Sequence, residues 1–542
     1  MRHVVFQSKL SRPLRGGSVS ITLIAGLLFL AAANVMSAPP SVQWAKSAGG
    51  ASYDYSFGLA ADSNGSSFIV GEFRETSHFG ALALTNAFTD TSDMFLVKYD
   101  PVGNPVWARR AGGVSSESGK AVAVDASGNI YVTGHFSGTA SFGTNVFVSS
   151  GTEDVFILKY DTVGNLLWAR KGGGSGHDFG LGIAAGSNYC YVGGTYQYVA
   201  TFSGTNITSA GGYDIFIAKY DGAGALQWIR SAGGNGHDQA LSIAADNLGR
   251  CHMTGYFTSP TAAFDAITLT NASSFYTDVF VSNYDPAGNL LWATRFGGTD
   301  SEQGVAVTAD TTGNSFVTGF SSSTNLPTGA GNLTNRGGSD VFVAKLDFLG
   351  NLQWINSAGS VGEDIASAIA LDSVGNSHII GNHPYNATFG NTTLTNTGLL
   401  DGFVAKCDGN GNFVWAKRIG GAGDESPLGI GLDAAENVYF TGAFTSISST
   451  FDALTVSNAG NSDVFVARIA QEQPQLSAFR TANSLVVCWP AYLQTFLLES
   501  SSNAVASAGW SHVVTPPGLI GGLRCVTNPI TPGQKFFRMR KQ

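Results

Sequence analysis

From residue 41 onward the chain alternates short apolar runs with glycine, asparagine and aspartate. Runs such as AVAVD, NIYVTG, DVFILKY and NLLWAR carry apolar and polar residues in turn, the period of two expected of half-buried strands. Between them recurs D-x-x-G-N, as at Asp125, Gly128 and Asn129 and again at Asp161, Gly164 and Asn165. Glycine takes positive φ there at little cost, and the aspartate side chain can close the turn. The pattern predicts antiparallel hairpins, and no helical period interrupts it. Aspartate-rich turns can also hold calcium, but each offers two or three oxygens and no bidentate glutamate at a fixed offset, so they are read as turns.

The strands come in a repeat. Trp44, Trp107, Trp168, Trp228, Trp292, Trp354 and Trp415 recur at intervals of 60 to 64 residues, and seven copies of one phrase fill residues 41–470. Each copy predicts four strands, so the fold class expected is all-β: a seven-bladed β-propeller, the architecture in which radial repetition leaves only short protected edges. The first copy begins with an orphan Trp44 strand, and the seventh ends after Asp463 to Ile469 without a Trp strand. Residues 41–47 are therefore predicted to complete the last blade by pairing with Asp463 to Ile469.

The phrase G-N-x-Y-V-T-G followed by D-V-F-V-A-K-Y-D-x-x-G-N-x-x-W resembles the bacterial SBBP-type β-propeller repeat. That resemblance implies a propeller in a secreted or cell-surface protein and no particular reaction. From Gln471 the repeat stops, and runs such as SLVVCW, FLLES and KFFRMR predict a small β-sandwich of immunoglobulin or fibronectin type over residues 471–542. Its ending, GQKFFRMRKQ, resembles C-terminal β-modules attached to large exported bacterial proteins, which implies either a folding cap or envelope retention.

Charge and composition narrow the compartment. Arg2, Lys9, Arg12 and Arg15 precede an apolar run from Ile21 to Ala33 and small residues up to Ala38, the form of a signal peptide over residues 1–38. No later apolar stretch predicts a membrane span, so the mature chain is expected outside the cell or on its surface, as a monomer. Without the leader, 25 Lys+Arg face 38 Asp+Glu, which disfavours nucleic acid. Of five cysteines, Cys190 and Cys251 occupy one repeat position in neighbouring units, too far apart for a bridge between packed sheets. Cys488 and Cys525 can pair in an oxidising compartment, and Cys407 has no evident partner.

Candidate chemistry lies where the repeat is acidic or broken. Ten residues or so after each tryptophan stands a carboxylate: Asp54, Glu117, Asp178, Asp238, Glu302, Asp364 and Glu425. Seven such groups form a ring at one mouth of the channel, either drawing a cation by their summed potential or accepting backbone N–H bonds that lock blade to blade. A second set, Asp93, Asp154, Asp214, Asp278, Asp340, Asp401 and Asp463, is read as scaffold. Lys98, Lys159, Lys219, Lys345, Lys406 and Arg468 follow it by five residues, with Asn283 as the exception, and are expected in solvent or beside acids. His177 and His237 precede ring carboxylates in two adjacent units, and such His–Asp pairs suit a metal or a general base. The other units carry Tyr53, Ser116, Ser301, Glu363 and Asp424 there, which reads as surface variation, and no G-x-S-x-G, H-E-x-x-H or phosphate loop appears.

Two function classes follow. One is a non-catalytic binding, scaffold or display protein that meets a protein or glycan through the face carrying the long loops, with no cofactor and no metal. The other is a propeller hydrolase or lyase acting on extracellular carbohydrate or a small molecule, with or without a divalent metal. The short D-x-x-G-N turns of the opposite face are expected to be too tight for a pocket.

Overall fold

The computed structural model describes residues 39–541 apart from 89, 274, 329–330, 471–475, 482–483, 491–495, 503–509, 521–522 and 530–535. The expected signal peptide lies outside the described residues. Every element among them is a β-strand, and they divide into two compact units, Pro40–Gln471 and one containing Glu472–Gln542.

In the larger unit one pairing pattern repeats. Asp54–Ala61 pairs with Ser67–Phe73, that with Asp93–Tyr99, and that with Pro105–Gly113. The same antiparallel order recurs along the chain, and the last group closes on the first strand: Val42–Ala48 pairs with Asp463–Ile469, Ala45 facing Ala467 and Ser47 facing Phe465. The strand predicted to be an orphan is thus the outer strand of the final group. First strands pack on one another in sequence, and Glu425–Leu432 packs back on Asp54–Ala61, so the ring is closed.

Each recurring residue has a local reason. In the D-x-x-G-N turns the aspartate accepts two backbone N–H bonds and one from the asparagine; at Asp125 these come from Ser127, from Asn129 and from the Asn129 amide, all at 2.8–2.9 Å. Five of the seven outer-strand indoles donate to carbonyls of the next group's turn, among them Trp44 to Pro101, Trp168 to Gly222 and Trp228 to Pro286, each at 3.1 Å. Period and contact are therefore the same fact: one tryptophan per junction.

Four strands per unit is an undercount. The long connection between second and third strands folds into a short hairpin, as in Thr76–Phe79 with Leu82–Thr85 and Thr139–Phe142 with Asn145–Val148. In the third unit the hairpin is continuous with the long strands Tyr189–Phe202 and Thr205–Asp221. The phenylalanine of these connections, followed by glycine at Phe79, Phe142 and Phe389, sits at the hairpin's turn. Phe79 stacks on Phe95, Phe142 on Phe156, Phe202 on Phe216, Phe264 on Phe280, Phe389 on Phe403 and Phe451 on Phe465, with centroids 4.7–5.1 Å apart. In the fifth unit, which lacks the phenylalanine, Leu333 is buried instead. These hairpins also bridge backward to the outer strand of the preceding group, as Ala140 does to Gly113 and Ala200 to Gly174. A Cβ on Gly113 would stand 1.9 Å from the Thr139 carbonyl oxygen, and one on Gly174 equally close to that of Val199, so close backbone approach requires glycine at these two positions.

The smaller unit holds two antiparallel sheets. Ser477–Arg480, Ser484–Pro490, Leu523–Pro529 and Gly518–Ile520 form one, and Ser511–His512, Phe496–Ser501 and Phe536–Lys541 the other. Val487, Trp489 and Val526 from the first pack with Leu498 and Phe537 from the second. Cys488 and Cys525 face each other across the first sheet and are disulfide-bonded, while Cys190, Cys251 and Cys407 are free and buried.

Candidate functional site

All seven ring carboxylates are buried. Each accepts a hydrogen bond from the backbone N–H four residues earlier, Gly50 to Asp54, Gly113 to Glu117, Gly174 to Asp178, Gly234 to Asp238, Gly298 to Glu302, Ser360 to Asp364 and Gly421 to Glu425, at 2.6–2.9 Å. Hairpin serines add further donors: Ser77 to Asp54, Ser259 to Asp238 at 2.6 Å and Ser449 to Glu425 at 2.7 Å. The carboxylates thus hold the connection between one group and the next.

Each ring carboxylate has an acidic neighbour across that connection. At Gly49 a Cβ would meet both Asp463 and Asp54, and at Gly173 both Asp154 and Asp178. Arg110 bonds Asp93 at 3.0 Å, Lys171 bonds Asp154 at 3.1 Å, and Arg295 and Arg418 bond Asp278 and Asp401 at 2.7 Å. Burial nevertheless pushes Asp54, Asp178 and Asp364 up to about 6 and Glu117 to about 8, with the neighbouring aspartate adding to the rise. These raised groups lie inside the scaffold, buried among the connections they hold.

The residues that break the repeat do gather, at the same end of the ring. The residue before each ring carboxylate bridges the one before the third-strand aspartate, as Tyr53 does to Ser462 and His177 to Glu153, so both long connections share a face. There Tyr53, Tyr55 and Phe57 form a ladder, stacked at 6.3 and 6.2 Å, with the Arg74 guanidinium 5.9 Å over Tyr53 and the Lys120 ammonium 3.5 Å over Phe57. His135 meets Phe179 edge-on at 4.7 Å; Phe179 meets His177 at 6.0 Å and Tyr213 at 6.3 Å, and Tyr213 meets His237 at 5.4 Å. An arc of aromatic and basic side chains thus runs from the first unit to the fourth. The positions matching Tyr55 and Phe57 are Gln303 and Val305 in the fifth unit, Ile365 and Ser367 in the sixth, and Ser426 and Leu428 in the seventh.

Burial shifts two basic groups of the arc toward their neutral forms. Burial lowers the Lys120 ammonium, which Glu72 opposes, and burial with nearby Lys120 takes His135 down to about 3. His177 is hydrogen-bonded to Glu153 through Nδ1, and His237 Nδ1 accepts from the Tyr213 amide at 3.3 Å. The two histidines singled out in the sequence thus sit in separate pairings, His177 on an acid and His237 beside a tyrosine. Sequence reasoning missed Tyr55, Phe57, Lys120, His135, Phe179 and Tyr213. For Tyr55, Phe57, Lys120 and Phe179 the available signal was register, one or three residues past a ring carboxylate on the opposite face of the strand; His135 and Tyr213 carry no such signal.

Two further expectations need correction. The recurrent lysines lie over aromatic rings, Lys98 on Phe68, Lys159 on Tyr131 and Lys345 on Phe316 at 5.0–5.1 Å, because the third strand brings a cation beside the second strand's aromatic. Lys406 reaches Asp372 at 3.3 Å, as expected. The exception is explained too: where Asn283 replaces the cation, His252 replaces the ring, and the two are hydrogen-bonded. The short turns also enclose space. A recess of about 420 Å³ between the first two units is lined by Asp62, Asn64, Asp125, Ser127, Lys98 and Thr162 among others; tight turns on adjacent groups leave a gap between them.

No family model matches the chain. It is similar to an uncharacterized WD repeat-containing protein of Acanthamoeba polyphaga mimivirus, 25% identical over 440 residues, covering 64% of this chain and 32% of that protein. Regulatory protein FlaEY of Caulobacter vibrioides is 26% identical over 370 residues, covering 64% of this chain and 38% of its own length. The chain spans about a third of the length of these curated relatives. A structure of a protein of unknown function from Dyadobacter fermentans aligns with TM-score 0.35 and 10% identity, over 78% of this chain and 98% of that one. The chain is a β-propeller repeat protein. Among the described residues, no helix is long and apolar enough to cross a membrane.

Proposed function

We propose that this is an exported seven-bladed β-propeller of the bacterial SBBP type, spanning residues 39–470 and followed by a small β-sandwich, that serves as a non-catalytic binding or scaffold protein through its long-loop face. One observation carries the reading: side chains that break the repeat converge at that end of the ring, while the Asp-turn chemistry of the other end repeats unit after unit. Loops on a rigid frame are where recognition concentrates. The seven carboxylates belong to the frame in this reading, since each is buried and accepts a backbone N–H from the connection it holds. The leader and the SBBP phrase support export, as does the Cys488–Cys525 bond, which suits an oxidising compartment.

The experiment is a binding screen of the secreted chain against extracellular proteins and polysaccharides, followed by substitution face by face. Binding should fall with His237→Ala and Tyr53→Ala and survive Val102→Ser and Val163→Ser in the short turns. The opposite pattern rejects the assignment. A hydrolase or lyase remains the second reading because His177 and Glu153 form a polar pair beside the arc; release of new reducing or unsaturated ends from a bound polysaccharide, abolished by His177→Ala, would establish it.

A further inference from the structure

The aromatic arc has a definite recognition chemistry, and naming its ligand class rests on the binding reading above. Tyr53, Tyr55 and Phe57 present nearly parallel rings, at interplanar angles of 12° and 20°, stepped along one strand. Tyr53 is 42% exposed, and Tyr55, Phe57, Phe179, Tyr213 and Tyr256 are half-buried. A core filler would be sealed, as Phe68 and Phe73 of the adjacent strand are; these rings keep part of their surface open. Beside them stand planar hydrogen-bonding groups, the Glu72 carboxylate paired across from Tyr55 and the Arg74 guanidinium over Tyr53.

Flat apolar faces edged by planar polar groups match a sugar ring, which offers axial C–H bonds to an aromatic face and hydroxyls at its rim. They match a peptide less well: an extended peptide would use the unpaired edge of a first strand, which every unit offers, whereas the aromatic ladder stands in the first unit alone. Charge selects further. Beside the ladder Glu72 offsets the Arg74 and Lys120 cations, and the whole chain carries a formal −9, so the site holds no cationic cluster for an anionic polymer. We infer that the mouth formed by the first four units binds an uncharged oligosaccharide, stacked on the Tyr53–Tyr55–Phe57 ladder.

The test uses the full chain and a panel of neutral gluco-, manno-, galacto- and xylo-oligosaccharides, with oligogalacturonate as the anionic member, read by calorimetry. At least one neutral oligosaccharide should bind. The double variant Tyr53→Ala, Tyr55→Ala should weaken it at least about tenfold, the scale on which truncating an aromatic anchor acts, and Tyr53→Trp should retain it. Val102→Ser, in a short turn, should change nothing. Melting curves of each variant separate lost binding from lost folding, and Tyr53→Ala alone, at an exposed position, serves if the double variant unfolds. Binding of no member, preference for oligogalacturonate, or neutral binding indifferent to the ladder would each overturn the inference. A defined protein ligand whose binding needs His237 and leaves the ladder's sugars unbound would sink it too, while leaving the long-loop face as the functional one.

Discussion

At the scale of single residues, the repeat spends its identity on junctions. Asp238 accepts from Gly234, Thr258 and Ser259 backbone amides and from the Ser259 hydroxyl, the last at 2.6 Å. Asp238→Asn keeps the shape but turns one acceptor oxygen into a donor facing donors. A loss of about 1–3 kcal/mol is expected, measured as a lower urea midpoint with unchanged slope, and with no change in any ligand affinity. Were the variant to melt like the parent yet lose stabilisation by added divalent cation, the carboxylate would be a ligand and the scaffold reading would fail. The contrast with Tyr53 is instructive: a buried acid is repeated seven times because every junction needs it, whereas a half-open tyrosine stands where only one unit has it.

At the scale of elements, how much was legible depended on whether the partner of a residue repeats with it. Tryptophan spacing disclosed the blades, and the orphan Trp44 strand disclosed the closure, because both signals lie in one register along the chain. The hairpins were half legible: Phe79-Gly80 marked them, but their packing on Phe95 and their bridge to the previous group needed the neighbour in place. The arc was not legible, since Phe57 and Lys120, or His135 and Phe179, come from different units and meet only when strands of adjacent groups stack. Closure gives a direct test. The strand Val42–Ala48 supplies the outer edge of the last group, so a chain lacking residues 39–48 exposes Asp463–Ile469 as an unpaired edge. Exposed edges template association. The shortened chain should form concentration-dependent oligomers by light scattering; a monomer melting like the parent would show the strand to be dispensable.

At the scale of the whole molecule, two populations of carboxyls pull stability in opposite directions with pH. Desolvation is the largest single influence on the turn aspartates Asp100, Asp285 and Asp347 and raises them, but the backbone and asparagine N–H groups they accept from together outweigh it, and at Asp161 those bonds lead, so all four are held below the ordinary carboxylate range. Their contribution is present above the unfolded value and is lost as pH falls through the folded one. The junction carboxyls behave inversely. Desolvation raises Asp54, Asp93, Asp178, Asp214, Asp364 and Asp463 to about 6 and Glu117 to about 8. Groups raised on folding bind protons more tightly in the native state, so the native state gains below the unfolded value and loses that gain as pH climbs through 6 and toward 8. The carboxyl contribution to stability should therefore peak near pH ~4, the unfolded value at which the two windows meet, and decline chiefly between about pH 4 and 6, with Glu117 extending the fall toward 8. Melting temperatures taken across that range at constant ionic strength check it. Asp54→Asn and Asp463→Asn together remove two of the raised groups and should flatten the alkaline limb; a melting temperature that instead rises steadily from pH 5 to 8 would mean that the junction carboxyls are charged and compensated in the native protein.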